Sequence, residues 1–327
     1  MPDKTVYVTR RIPQPGIDKL KEVFEIDHYD SDDAIPHQVL VEALKAKKYD
    51  ALLCMLTDQI DAEVLDAAGP QLKIVATMSV GFEHINLQEC NKRGYLVANT
   101  PGVSTDSVAE LTCSLLLMTA RRLPEGVDAV KNGEWGLWKP MWLCGTQLNN
   151  RVLGIYGLGR IGFNVGRRLK PFGFSKIYYT DVHEVSYAKD LDAEFTDFEG
   201  LLTKCDFICV CCNLTPQTRH MFNRDTFKKM KNTAILVNSG RGGVINHDDL
   251  VDALRSGEIQ ACGLDVTEPE PLPKEHPLVS MNNCVILPHM GSNTWDSRNA
   301  MACIAARNCI AGVSGQTPEG NISTNAS

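Results

Sequence analysis

Three glycines and one acid carry the first chemical signal in the chain. Gly157, Gly159 and Gly162 lie in "RVLGIYGLGRIGFNVGRRL" as G-x-G-x-x-G, with Arg160 and Ile161 in the variable places before the third glycine. An apolar run precedes the glycines and a helix-spaced run follows, which is the context that gives this spacing a purpose. The first glycine makes a tight turn, the second lets backbone approach a pyrophosphate, and the third lets helix pack on strand. The first amides of the helix then face the phosphate charge. Asp181 closes the next apolar run, "KIYYTD", about twenty residues further on. Three readings are open to it: a cap on the following turn, a metal ligand beside His183, or an acceptor for the ribose hydroxyls of a dinucleotide. A metal would need further ligands that the neighbourhood does not offer, and the glycine fingerprint favours the ribose. A 2′-phosphate placed there would meet a like charge, about 4 kcal/mol per unit pair at ~4 Å and an effective dielectric of ~20. NAD(H) is therefore the expected cofactor, with NADP(H) as residual use.

A second set lies downstream. Arg241 in "VNSGRGGVIN", Glu270 in "GLDVTEPEPLP" and His289 in "VILPHMGSNT" each stand just past an apolar run. In open α/β sheets ligands bind beyond the carboxyl ends of the strands, so all three are expected to face one crevice. A guanidinium holds a carboxylate by two parallel hydrogen bonds and polarises the adjacent carbonyl. An imidazolium donates a proton to a carbonyl oxygen as hydride arrives. A carboxylate on the other ring nitrogen orients the imidazole and favours its charged form. Together these groups fit reduction of a small 2-keto acid to the 2-hydroxy acid. Taken singly, Arg241 could cap a helix, His289 could be a core histidine and Glu270 a solvent acid; their joint placement argues otherwise. Glu268 is the rival to Glu270.

Such residues need strands to present them. "TVYVT", "YDALLCM", "LKIVATMS" and "GYLVANT" are short apolar runs, with helical stretches such as "GIDKLKEVF" and "QVLVEALKAK" between some of them. That alternation predicts an α/β unit with a parallel sheet. "STDSVAELTCSLLLMTARRL" follows as a helix capped by Ser104 or Thr105, with apolar residues at Val108, Leu111, Leu115 and Met118. A Trp- and Gly-rich loop, "NGEWGLWKPMWLCG", leads to a second series of six strand-like runs: "RVLGIYG", "KIYYTD", "FICVCC", "AILVNS", "ACGLDV" and "CVILPH". Six strands separated by helices are what a doubly wound, Rossmann-type dinucleotide domain requires. After Gly291 the chain turns helical again. The fold class is α/β with two domains, each built on a parallel sheet.

Composition narrows the partners. The 327 residues are 43% hydrophobic and 22% charged with a net charge of −7, the profile of a globular protein. No Lys/Arg-dense stripe is present, so nucleic acid is not an expected partner. The start, "MPDKTVYVTRRIP", lacks the apolar core of a signal peptide, and the tail "NISTNAS" carries no organelle address. The longest apolar candidate, "LTCSLLLMTA", falls short of the ~18 residues a membrane helix needs. Asn321 opens a glycosylation triplet that is expected to be coincidental. The twelve cysteines show no metal spacing and are expected as core thiols in a reducing cytoplasm.

The motifs "GLGRIG", "NSGRGGVIN", "GLDVTEPEPLP" and "LPHMGS", in that order, resemble the D-isomer-specific 2-hydroxyacid dehydrogenases over nearly the full length. "VTRRIP", "TMSVGFEHIN", "RRLPEGVDAVKNGEW" and "WKPMWLCG" resemble the members that act on glyoxylate and hydroxypyruvate. The resemblance implies a Rossmann-type NAD(P)-binding domain, 103–294, inserted in a flavodoxin-like substrate domain made of 1–102 and 295–327. It implies Arg241, Glu270 and His289 as the catalytic trio. Val80 and Gly81 would bind the substrate carboxylate through backbone, and His84 lies in the same loop. Trp138 would reach the substrate pocket of a partner subunit in a homodimer. Ser239, Asp265, Gly291 and Ser292 would join the glycine loop around the cofactor, with Asp265 at the nicotinamide carboxamide; no metal is implied. Animal members acting on these acids favour NADPH and carry Gly-Arg or similar where this chain has Asp181 and Val182, so at this point the chain departs from them. Other readings within the fold are an NAD-sensing corepressor, which is expected to need a longer tail, and phosphoglycerate dehydrogenase, which commonly carries a regulatory extension. Formate dehydrogenase pairs its histidine with Gln rather than Glu.

Overall fold

The structure is a computed structural model that describes residues 3–323. Residues 324–327, on which the reading of the tail partly rests, lie outside the described residues. The chain divides into two compact units: residues 1–104 with 293–327, and residues 105–292.

The first unit is built on a five-stranded sheet of β1 (Lys4–Val8), β2 (Phe24–His28), β3 (Ala51–Cys54), β4 (Ile74–Thr77) and β5 (Leu96–Ala98). All pairs are parallel and the order is β2-β1-β3-β4-β5, the flavodoxin-like order. β3 and β4 are buried throughout, as expected of central parallel strands with both faces covered. One face packs on the helices His37–Ala46 and Ala62–Ala68. The other packs on Gln14–Lys21 and on Trp295–Val313, whose Met301, Ala302, Ala305 and Ala306 join Val6, Val8 and Leu53 in one cluster. Those two helices approach closely: a Cβ on Gly16 would lie 2.7 Å from Ala302 Cβ. The last described residues return to this sheet, with Asn321 bridged to Ala98 and Ser323 Oγ accepting from the Val97 amide at 2.7 Å.

β2 corrects the expectation that "GIDKLKEVF" is helical to its end. The helix stops at Lys21 and Phe24 opens a strand. β2 is an edge strand whose "FEIDH" exposes Glu25 and His28 and leaves Asp27 half buried, so it lacks the apolar run that marks an inner strand.

The second unit holds a seven-stranded sheet of β6 (Val152–Tyr156), β7 (Lys176–Thr180), β8 (Ala193–Phe195), β9 (Phe207–Val210), β10 (Ile235–Asn238), β11 (Ala261–Leu264) and β12 (Cys284–Ile286). Its order, β12-β11-β10-β9-β6-β7-β8, reads 3-2-1-4-5-6 from the first strand with β12 added, the Rossmann arrangement. Six strands match the sequence expectation. The seventh, β8, is three residues at the far edge and half exposed, too short and polar to register as a run.

The helix Thr105–Ala120 buries Ala109, Thr112, Cys113, Leu116, Thr119 and Ala120 together with Leu115. Val108, Leu111 and Met118 are only half buried. Close packing selects the small residues: a Cβ on Gly263 of β11 would lie 2.6 Å from Thr119 Oγ1. All twelve cysteines are free thiols, seven of them buried, and burial pushes Cys90 and Cys205 up to about 12. Among the described residues no helix is long and apolar enough to cross a membrane.

Candidate active site

The glycines meet the demands their spacing raised. Gly157 has φ +92°, and a Cβ there would lie 2.7 Å from the Cys212 amide nitrogen. A Cβ on Gly162 would fall 2.0 Å from Gly157 O, so helix and strand touch at that point. Gly159 faces open space, with nothing within 4 Å of the Cβ position. It is the N-cap of the helix Arg160–Leu169, so the first amides of the helix and uncrowded space coincide, as a pyrophosphate requires. Arg160 is exposed and Ile161 half buried on the first turn.

Asp181 follows β7 and turns its carboxylate onto this loop. Oδ2 accepts from the Leu158 amide and Oδ1 from the Val182 amide, each at 2.7 Å. The acid thus anchors the residue between the first two glycines, a link the sequence did not reveal. Val182 and His183 are exposed. Among the described residues no group of His, Cys, Asp and Glu side chains is gathered as a metal would need.

Downstream loops gather the second set. His289 Nδ1 lies 2.5 Å from Glu270 Oε1. The histidine has a left-handed backbone, φ +54°, unusual outside glycine and held by its amide donating to Asp265 O at 2.9 Å. Asp265 is buried and accepts from the Met290 amide at 2.7 Å and the Gly291 amide at 2.9 Å. Burial pushes the Asp265 carboxyl above its usual range, against the pull of both amides and of His289. Its side chain therefore clamps the segment that carries His289, Gly291 and Ser292, a role that sequence spacing does not signal. Burial acts most strongly on Glu270 and would raise it. The bond to His289, that ring's charge, the Thr267 amide and the charge of Arg241 together outweigh burial, so the carboxyl sits below the usual range.

Glu268 turns elsewhere. It accepts from Arg219 Nη2 at 2.9 Å and pairs with His220 Nε2 at 3.1 Å. Of the two rival acids, Glu270 is the one hydrogen-bonded to His289.

Arg241 stands after β10, half buried, with Nη1 donating to Gly240 O at 2.9 Å. Its backbone is fixed by the fully buried Asn238, which donates through Nδ2 to Arg241 O at 2.9 Å and accepts from the Gly240 amide at 3.0 Å. A Cβ on Gly242 would lie 2.0 Å from Thr267 O, so the arginine loop and the Glu270 loop are in contact. Ser239 is buried beside them and accepts from Thr112 Oγ1 at 2.6 Å. The second unit thus brings Arg241, Glu270 and His289 to the carboxyl ends of β10, β11 and β12, which are neighbours in the sheet.

Val80 and Gly81 lie in the first unit, on the half-buried loop after β4. Trp138 is in the second unit on an exposed apolar stretch: Trp135 is 70% exposed, Leu137 90%, Trp138 84% and Met141 87%.

Comparison with known proteins gives the family. The family model of the D-isomer specific 2-hydroxyacid dehydrogenase NAD binding domain matches residues 113–291. The human glyoxylate reductase/hydroxypyruvate reductase is 50% identical over 314 residues, covering 95% of each chain. A solved protein of Thermus thermophilus superposes with a TM-score of 0.90 at 37% identity, covering 97% of this chain and 99% of its own. The NADPH-dependent glyoxylate/hydroxypyruvate reductase of Sinorhizobium meliloti, solved with NADP and malonate, gives 0.84 at 29% identity, covering 98% and 96%. The chain belongs to the D-isomer-specific 2-hydroxyacid dehydrogenase family. Membership makes it an oxidoreductase that uses a nicotinamide cofactor.

Proposed function

We propose that this protein reduces glyoxylate to glycolate and hydroxypyruvate to D-glycerate, with NADH preferred over NADPH. The observation that carries the reading is the His289–Glu270 pair beside Arg241, set past three neighbouring strands of a dinucleotide domain. The bound cofactor supplies the hydride. Gly157, Gly159, Arg160, Ile161, Gly162 and Asp181 hold its adenosine diphosphate portion, and Ser239, Asp265, Gly291 and Ser292 line its nicotinamide end. Arg241 binds the substrate carboxylate and polarises the keto group. Glu270 occupies Nδ1 of His289, which leaves Nε2 as the atom that donates the proton to the keto oxygen. Val80 and Gly81 give backbone amides to the carboxylate.

The preference for NADH rests on Asp181. A carboxylate pinned by the Leu158 amide stays near the ribose and disfavours a 2′-phosphate. The human and Sinorhizobium relatives bear names of the same activity, the latter with NADPH, and the proposed NADH preference would set this chain apart from that neighbour.

A homodimer and cytoplasmic residence belong to the same proposal. The apolar stretch around Trp138 is of the kind that a second copy covers, and Trp138 is proposed to reach that copy's substrate pocket. Twelve unpaired thiols fit a reducing compartment.

The test is loss of absorbance at 340 nm with glyoxylate, hydroxypyruvate and pyruvate, each with NADH and NADPH. Turnover of the first two acids fastest with NADH is the expected result. No turnover of either acid with either cofactor overturns the proposal.

A further inference from the structure

The loop after β4 has three consecutive peptide carbonyls captured. Ser79 O accepts from the Thr100 amide at 2.9 Å, Val80 O from Asn99 Nδ2 at 2.7 Å, and Gly81 O from Ser79 Oγ at 2.7 Å. These peptides are trans, and in a trans peptide the N–H points opposite to the carbonyl. The amides of Val80, Gly81 and Phe82 belong to these same three peptides. Each therefore points away from the group that holds its carbonyl. Successive amides of one loop are the kind of donor set that an anion takes up.

Behind Gly81 O stands a chain of side chains. Ser79 Oγ lies 2.7 Å from Thr77 Oγ1, which lies 3.1 Å from His84 Nε2. Each contact needs one proton, and each hydroxyl has only one to give. The Ser79 proton is spent on Gly81 O. The Thr77 proton must then go to Ser79, and the proton between Thr77 and the imidazole must sit on His84 Nε2. The chain therefore has a fixed direction, from His84 through Thr77 and Ser79 to Gly81 O. Thr77 and Ser79 are buried, so a broken link strands polar groups away from water.

We propose that His84, Thr77 and Ser79, together with Asn99, are positioning residues that hold the Val80 and Gly81 amides in place for the carboxylate of the keto acid. The proposal rests on the reading of Val80 and Gly81 as substrate contacts. None of the four side chains is required to touch substrate; they act through the loop.

The test is steady-state kinetics with glyoxylate on the full chain, comparing wild type with Thr77→Val, Thr77→Ser and Gly81→Pro. Thr77→Val keeps the shape and breaks the chain at its middle. Its KM for glyoxylate is expected to rise about tenfold, the worth of one hydrogen bond. Its kcat and its KM for NADH should stay within about twofold, and Thr77→Ser should restore the wild-type KM. Gly81→Pro removes the loop amide itself and should raise the glyoxylate KM at least as much. If Gly81→Pro raises KM and Thr77→Val does not, the relay is wrong and the carboxylate reading stands. If folded, NADH-binding Gly81→Pro keeps a wild-type KM, both are overturned. A fall in kcat alone in Thr77→Val also overturns the relay. Should Thr77→Val lose NADH binding through misfolding, Ser79→Ala is read by the same criteria.

Discussion

Glu270 Oε1 and His289 Nδ1 lie 2.5 Å apart, joining a loop after β11 to a residue just past β12. The carboxyl is held below its usual range, so it is charged wherever the imidazole is needed as an imidazolium. Replacing Glu270 by Gln removes that charge. The kcat for keto-acid reduction should then fall, by roughly tenfold or more, because the imidazole loses the charged partner that orients it. The sign for stability is the opposite of that for a histidine. The depressed acid contributes stability in full above its unfolded value of ~4.3, and the contribution fades as pH falls through the lower folded value. Acid unfolding of the Gln variant should accordingly be less steep in that window. His289→Ala in the same assay should lose roughly 10²–10⁴ in kcat. An unchanged kcat in the Gln variant would remove Glu270 from the pair.

Arg241→Ala should raise KM for glyoxylate and hydroxypyruvate sharply, by about a hundredfold if a charge-assisted, two-bond contact is lost. Arg241→Lys should recover only part of this, since an ammonium cannot form the parallel pair. NADH affinity, measured by fluorescence quenching, should hardly change in either variant.

Two glycine substitutions should separate folding from cofactor binding. Gly162→Ala puts a Cβ against Gly157 O and should lower Tm by about 5 °C or more. Gly159→Ala meets open space and should melt like the wild type, yet its methyl group occupies the concavity and should raise KM for NADH. Thermal denaturation with and without NADH distinguishes the two; equal melting of both variants would contradict the packing at Gly162.

Cofactor choice is tested best by Asp181→Asn. The amide oxygen can still accept from the Leu158 amide while the charge is gone. The ratio of kcat/KM for NADPH to that for NADH should rise about tenfold or more. A wild type that is already faster with NADPH ends the proposed preference.

Assembly is tested at Leu137, 90% exposed on the stretch that holds Trp138. Leu137→Asp should convert a dimer into a monomer by light scattering, with loss of turnover if Trp138 serves the other copy's pocket. A wild type that is monomeric at micromolar concentration contradicts the proposal.

Much of this was legible in the chain because inner parallel strands are apolar on both faces. The runs that became β6, β7, β9, β10 and β11 stand out for that reason, β12 stands out at the sheet edge because its residues are apolar and half buried, and the glycine fingerprint marked the turn after β6. The edge strands β2 and β8 did not stand out, because an edge strand is solvated and its residues need not be apolar. Helix spacing located Thr105–Ala120, while its small buried residues, such as Thr119, follow from the close approach to Gly263, which spacing does not signal.

By itself the sequence determined the two parallel-sheet units, the dinucleotide loop and the three residue types suited to keto-acid reduction. These depend on local pattern: alternation of runs, spacing of glycines, and a functional residue just past each strand. Only the tertiary structure decided which acid pairs with His289, because Glu268 and Glu270 share one loop and are separated by what lies opposite, Arg219 and His220 for the first and His289 for the second. It likewise decided that Asp181 ties down Leu158, that Asp265 clamps Met290 and Gly291, and that Thr77, Ser79 and His84 form a directed chain. A hydrogen bond is settled by distance and direction between groups that the fold brings together, and neither is written in the order of the residues.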